Sequence, residues 1–266
     1  MTVDLVIVGA GVFGLSTALA AANSGHRVTL IDNGREDAGS RGHGRIIRSL
    51  YPREEYSVLA KEAEAQWKQK TTFRSCLRVV HESNRAIEDD NAGWVAAAQE
   101  MQNSLQEARN KGVDVIADTV EKLLWRDDTK ECIGVATSTT SYYAEKVLLA
   151  MGGSLPFFLK KQGIKDIQAI CKPLIVPWYS VKLDDARYLE LKDTPIVVFP
   201  GKGEYLPPDD EHRIRVNNAV TAFIDEESRD LAVQERTSPY YDETVDLFRE
   251  LLPLCNADSG AYRYCL

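Results

Sequence analysis

The sequence predicts an α/β protein with an interrupted first sheet and a second, mostly antiparallel sheet. Three observations carry this. The chain opens on a strand–glycine turn–helix–strand pattern, "DLVIVGAGVFGLSTALAAANSGHRVTLID". Strand-like runs compatible with the same sheet return between Val113 and Gly152. From Pro173 onward the texture changes to short runs such as "LIVPWYSVKL", "TPIVVFP", "GEYLPP" and "RIRVNNAV", punctuated by Pro, Gly and Asp, as in antiparallel sheets.

The opening pattern is the most informative. Leu5 to Val8 form a continuous apolar run, suited to a strand buried on both faces. Gly9, Gly11 and Gly14 follow at G-x-G-x-x-G spacing, and a small-residue helix over Leu15 to Asn23 can pack tightly on a sheet. Gly25 ends it and Val28 to Ile31 form the second strand, closed by Asp32. Each glycine answers a different physical need. Gly9 permits the tight turn, Gly11 lets the backbone approach a pyrophosphate, and Gly14 lets helix and strand touch. The pyrophosphate then lies on the positive end of the helix, where unpaired N–H groups point outward. Asp32, about 18 residues past Gly14, stands at the position of a ribose-binding acid. The pattern predicts a Rossmann-like dinucleotide site. By itself it leaves NAD and FAD open, although Asp32 disfavours NADP by repelling its extra phosphate.

Further along, Pro52 to Lys70 is predicted helical, with Tyr56, Leu59, Ala60, Ala63 and Trp67 on one face. Cys76 to His81 reads as a strand. Gly93 to Lys111 reads as a helix with Trp94, Ala98, Met101, Leu105 and Ala108 inward, stopped by Gly112. Val113 to Ile116 and Glu131 to Thr137 read as strands, with "RDDTKE" as a turn. "KVLLAMGG" reads as a buried strand ending in glycines. Pro239 to Leu252 reads as a helix turning Tyr241, Val245, Phe248 and Leu252 inward, and "AYRYCL" closes the chain as a strand.

Bulk properties exclude several classes. The 266 residues, 44% hydrophobic, suffice for one large domain or two smaller ones. With 32 basic against 40 acidic residues the net charge is −8, which disfavours nucleic acid and anionic membranes as partners. Five cysteines without clustered spacing argue for a reducing compartment, and four scattered histidines give no metal site. The N-terminus lacks the basic flank of a signal peptide, and no run reaches the length of a membrane span. The expectation is a cytoplasmic chain, monomeric unless paired with a missing C-terminal half, and Leu266 ends no recognisable targeting tripeptide.

Seven blocks in order resemble the flavin-dependent amine oxidases of the sarcosine oxidase and fructosyl amino acid oxidase type, within the D-amino-acid oxidase superfamily. They are "VIVGAGVFGLSTALAAANSG", "GRIIRSLYPREEYSVLAKEAEAQW", "NAGWVAAAQ", "KVLLAMGG", "KPLIVPWYSVKL", "GEYLPPDDEHRIRV" and "AYRYC". The resemblance implies a discontinuous FAD-binding domain with a second, antiparallel substrate-binding sheet. It divides the chain at 1–156, 157–250 and 251–266, the last returning to the FAD domain. It implies oxidation of the C–N bond of a secondary amino acid such as sarcosine, pipecolate, saccharopine or a fructosyl amino acid. Hydride passes to FAD and then oxygen is reduced to hydrogen peroxide.

Residue by residue, it implies that Gly9, Gly11, Gly14 and Asp32 hold the ADP half, that the backbone of Val120 meets the adenine, and that Ala150 to Gly152 close over the cofactor. Arg45 would lie beside the flavin ring, stabilising its reduced anion, and Arg48 would grip the substrate carboxylate through paired bonds. His43 lies near a family histidine. Cys265 matches a cysteine that can bond covalently to the flavin, a thiolate being a good nucleophile; a small buried strand residue is the plainer reading.

Three departures accompany the likeness. The stretch around 82–92 is shorter than in relatives. Arg215 stands where the family has an oxygen-activating lysine, and a guanidinium is larger, planar and permanently charged. Relatives also continue well past the position of Cys265, so "GAYRYCL" is expected to be an unpaired, half-built strand in a shortened chain. An FAD-binding remnant, half of a split protein, or an NAD-dependent dehydrogenase are the rival readings.

Overall fold

The structure is a computed structural model and describes residues 2–35, 38–40, 44–49, 51, 53–69, 73–80, 86–164, 174–199, 201–218, 222–223 and 240–265. The chain divides into two compact units, one drawn from residues 1–42 and 98–173 and the other from 43–97 and 174–265.

The first unit is built on β1 (Val3–Val8), α1 (Val12–Asn23) and β2 (Val28–Asp32). The chain then leaves, through β3 (Arg45–Ile47), α2 (Glu54–Lys68), β4 (Phe73–Val80) and β5 (Ala86–Val95), all of which lie in the second unit. It returns through α3 (Ala97–Asn110), β6 (Asp114–Ala117), β7 (Lys122–Trp125), β8 (Cys132–Ala136), β9 (Ser141–Leu149) and α4 (Leu155–Lys161). The six strands run in the order β6-β2-β1-β9-β8-β7. The pairs from β6 to β9 are parallel and the last two antiparallel. Parallel strands need cover on both faces, which explains the unbroken apolar run of β1: Val6 and Ile7 are wholly buried. Val6 and Val8 pack with Ile31, Val120, Val135 and Phe158 on one side. Ile7 packs with Leu15, Ala18, Leu30 and Ala108 on the other.

The second unit adds β10 (Leu174–Lys182), α5 (Asp185–Leu191), β11 (Ile196–Phe199), β12 (Gly203–Leu206), β13 (Arg213–Asn218), β14 (Ala222–Phe223), α6 (Tyr241–Leu251) and β15 (Ala261–Cys265). Its nine-stranded sheet runs β14-β10-β13-β12-β11-β4-β5-β3, with β15 against β10. Every pair is antiparallel except β11 with β4. On one face, Tyr179, Val181, Ile214, Val216 and Tyr205 pack against Val245, Phe248 and Leu252 of α6 and its end, the inward stripe read from the sequence.

Several expectations shift. Gly93 to Val95 finish strand β5 instead of starting a helix: Trp94 is opposite Ile46 and Arg74 in the sheet, and the helix begins at Ala97. Helical spacing cannot exclude a strand when the apolar residues are this few. On α2 the half-buried strip is Ser57, Ala60, Ala63, Glu64 and Trp67, while Tyr56 and Leu59 are exposed; Tyr56 is instead engaged by Arg53, 5.0 Å above its ring. Helix α5 escapes the sequence reading, although Asp184 announces it by accepting from the Arg187 N–H at 2.8 Å. Residues 251–265 do not rejoin the nucleotide sheet, and 43–97 do not belong with it. The decisive contacts are lateral hydrogen bonds: β15 pairs with β10 from Ser180↔Ala261 to Val176↔Cys265, so this strand is not unpaired.

Candidate functional site: a glycine turn and an arginine-lined sheet face

In the first unit the turn after β1 is tied down from three directions. Gly9 has φ +107°, closed to other L-residues without strain, and donates to Ile31 O at 2.8 Å. A Cβ there would lie 2.4 Å from Ala150 O. A Cβ on Gly14 would lie 1.8 Å from Gly9 O, so helix α1 touches the turn backbone to backbone. These two glycines are demanded by packing. Gly11 is different. It has ordinary φ, −77°, and a Cβ would meet only Ser40 Oγ, at 3.2 Å. The neighbour is a side chain and not backbone, so only Ser40 would have to shift to admit a Cβ. The first turn of α1 carries no acid to repel a pyrophosphate.

Two side chains reinforce the turn. Asp32, at the end of β2, accepts from Ala10 N–H at 2.7 Å through one oxygen and from Gly34 N–H at 2.8 Å through the other. Ser40 Oγ accepts from Val12 N–H at 3.1 Å. The sequence reading missed Ser40; the only signal was its place in the glycine-rich stretch "GSRGHG". Ala150 follows β9 and donates to Val8 O at 2.8 Å, which brings the "AMGG" turn against the Gly9 turn as expected of neighbouring strand ends. Gly152, φ +52°, opens the one-turn helix Gly152–Ser154. The Val120 side chain is buried in the core cluster with Val6 and Ile31.

In the second unit the sheet register builds a separate face. Arg215 of β13 stands opposite Ser180 of β10 on one side and Leu206 of β12 on the other. Its neighbours Ile214 and Val216 point into the α6 core, so Arg215 points to the opposite face. It is not the surface residue a plain reading of "RIRV" suggests: it is 5% exposed. Its guanidinium lies 5.1 Å over the Trp178 ring and donates through Nη2 to Gly44 O at 3.0 Å. Arg45 donates through Nη1 to that same carbonyl at 2.8 Å. Two predicted site residues therefore meet at one peptide oxygen. A Cβ on Gly44 would be tight, 3.0 Å from the Trp94 ring and 3.3 Å from Leu206. A shallow pocket here is lined by Gly44, Trp94, Ser180, Leu206, Arg213 and Arg215. Arg45 lies in strand β3, and Arg48, just beyond it, stacks 5.1 Å over Tyr51. The Cys265 backbone is opposite Val176, and its side chain is outside the described residues, as is His43.

Among the described residues no group of three or more His, Cys, Asp or Glu could hold a metal ion, and no helix is long and apolar enough to cross a membrane.

Residues 4–83 match the FAD dependent oxidoreductase family, DAO. Part of this chain is also 38% identical over 81 residues to amino acid oxidase imqH of Aspergillus flavus, an alignment covering 24% of this chain and 17% of the relative. Solved structures resemble nearly the whole chain. A modified fructosyl peptide oxidase from Aspergillus nidulans superposes with TM-score 0.79 at 17% identity, covering 98% of this chain and 80% of that one. Fructosamine oxidase (Amadoriase II) from Aspergillus fumigatus superposes with TM-score 0.74 at 18% identity, covering 99% and 75%. At such identities the likeness is one of fold. The DAO match takes in β1, α1, β2, Asp32, Ser40 and both Arg45 and Arg48.

Proposed function

We propose that this chain is an FAD-dependent oxidoreductase of the amine and amino-acid oxidase type, acting on the C–N bond of a secondary amino acid. The observation that carries this reading is the glycine turn leading into α1, a helix with no acid in its first turn, within a DAO match. FAD, when bound, would supply a two-electron acceptor for the hydride that leaves the carbon attached to the amine nitrogen, turning the C–N bond into an imine.

The protein's part is binding and orientation. The N-terminus of α1 offers a partial positive charge to the pyrophosphate, and Ser40, which accepts from the Val12 N–H, lies beside it. Ala150 and Gly152 extend the rim beyond β9, and the backbone at Val120 is assigned to the adenine side. Arg48 is assigned to the substrate carboxylate, a planar fork matched to two oxygens. Arg45 adds positive charge close to the reacting centre. The amine enters neutral, so no general base is named. Cys265 is the candidate for a covalent link to the flavin.

Arg215 favours a second reading. Its guanidinium is already engaged by Gly44 O and the Trp178 ring, so it is poorly suited to hold a mobile water or oxygen. A flavoprotein that gives its electrons to an acceptor other than oxygen fits that side chain.

The test is direct. The purified chain is examined for a flavin absorption spectrum, titrated with FAD and NAD, and assayed for peroxide and for dye reduction with sarcosine, pipecolate and fructosyl-valine. Peroxide with one of these amines supports the first reading, and dye reduction without peroxide the second. Binding of NAD with no binding of FAD refutes both. Colour that stays with acid-precipitated protein identifies the covalent link.

A further inference from the structure

Asp32 occupies the position from which a carboxylate is expected to bind a ribose directly, yet the structure gives its carboxylate other work. One oxygen accepts from Ala10 N–H at 2.7 Å, inside the glycine turn. The other accepts from Gly34 N–H at 2.8 Å, in the segment that leaves β2. Its own carbonyl accepts from Asp118 N–H at 3.2 Å, just past β6. One residue thus ties together the chain beyond three adjacent parallel strands. Charge-assisted bonds of this length to a carboxylate are among the stronger hydrogen bonds in proteins.

The Ala10 bond matters most. Ala10 lies between Gly9, whose φ of +107° sets the turn, and Gly11, whose carbonyl accepts from Leu15 N–H at 2.9 Å to start α1. Glycine on both sides leaves this peptide with more alternative conformations than any other pair of neighbours would. A charged acceptor on the intervening N–H selects one of them. Pre-organisation of this kind raises affinity by removing an ordering cost from the binding step.

We propose that Asp32 is a positioning residue, which fixes the glycine turn in its binding shape and contributes to dinucleotide affinity through Ala10 and Gly34 more than through the ribose. The proposal rests on the reading of this turn as a dinucleotide site.

The test compares Asp32→Asn with the wild type in two measurements. An amide has one carbonyl oxygen, so the variant can satisfy only one of the two N–H groups. In the cofactor-free protein, hydrogen exchange at Ala10 or Gly34 accelerates at least tenfold, while the buried amides of Val6 and Leu30 keep their wild-type rates. A structural role spread over the whole unit would speed all four. In the second measurement FAD and its 2′-deoxyadenosine analogue are titrated by flavin fluorescence. Asp32→Asn weakens both about equally, by roughly tenfold, and the wild type prefers FAD over the analogue by less than about threefold.

Unchanged exchange at both amides overturns the proposal. So does a wild-type preference above tenfold that the variant abolishes, because that pattern marks a direct ribose ligand. If Asp32→Asn does not fold, the wild type alone decides: unprotected Ala10 and Gly34 amides refute the brace, and protected amides with a small analogue preference support it. A wild type that binds no FAD removes the functional reading, and the exchange experiment still judges the brace.

Discussion

Two alanine substitutions in the glycine turn should separate packing from ligand approach. At Gly14 the added Cβ falls 1.8 Å from Gly9 O and 3.0 Å from Gly9 C, with Ala150 Cβ at 3.4 Å. Real contacts do not fall below 3.0 Å, so α1 must retreat from the turn by more than an ångström. The obstacle is backbone, fixed by the Gly9 N–H bond to Ile31 O and by the Ala10 bond to Asp32, so it cannot swing aside. Overpacking of this severity costs about 2–4 kcal/mol, at and beyond the upper end of the usual range. The better helix propensity of alanine returns up to ~1 kcal/mol. The net loss of about 1–4 kcal/mol corresponds to a Tm drop of roughly 2–16 °C for a chain of this size.

Gly11→Ala has φ −77° and meets only the Ser40 side chain, at 3.2 Å. Its stability should stay within about 1 kcal/mol of wild type. Its FAD affinity should fall at least tenfold, because the methyl group occupies the approach to the α1 N-terminus. Calorimetry of the cofactor-free proteins and fluorescence titration with FAD read the two effects. A Gly14→Ala protein that melts as wild type, or a Gly11→Ala protein that binds FAD as wild type, refutes the reasoning.

Other predictions follow from the second unit. Arg215→Met removes the bond to Gly44 O and the stacking on Trp178 and should destabilise by about 1–3 kcal/mol, with a change in tryptophan fluorescence; an unchanged Tm and spectrum would contradict the clamp. Gly260→Ala places a Cβ 2.2 Å from the Tyr179 ring, which is held by its hydroxyl bond to Ala257 O. It should cost more than about 3 kcal/mol, and Tyr179→Phe, which loses only the hydroxyl bond, about 1–2 kcal/mol; denaturant unfolding orders the two. Burial raises the Cys255 thiol and the Tyr205 hydroxyl above their usual values. For both, the folded state holds the proton more tightly than the unfolded state, so their contribution is fully present below the unfolded value and is lost as pH rises through the folded one. Stability should therefore decline with rising pH from about 8.5 for the thiol and about 10 for the phenol, and Cys255→Ala should delay the onset in pH-dependent denaturant midpoints.

The glycine turn was legible because its chemistry is local. Gly9, Gly11 and Gly14 each answer a constraint set by residues a few positions away, and the apolar run of β1 with its small-residue helix leaves little choice of structure. The α6 stripe was legible for the same reason, since a helix of this length shows its period. Trp94 was misread because three residues of strand and the start of a helix look alike until Ile46 and Arg74 are seen beside them. Ser40 was missed because its function is to reach Val12, 28 positions away, and no spacing rule links the two.

The sequence by itself determined the first β-α-β unit, the presence of a second antiparallel sheet and the residue types available to a dinucleotide. Only the tertiary structure decided that β15 lies against β10, that Arg215 is buried with Arg45 on one carbonyl, and that the Asp32 carboxylate braces the turn it was expected to serve from outside. The physical reason is range. Propensity and periodicity act within a turn or a strand, whereas these contacts are lateral hydrogen bonds between segments far apart in the chain, chosen by sheet register and by which buried polar groups must find partners.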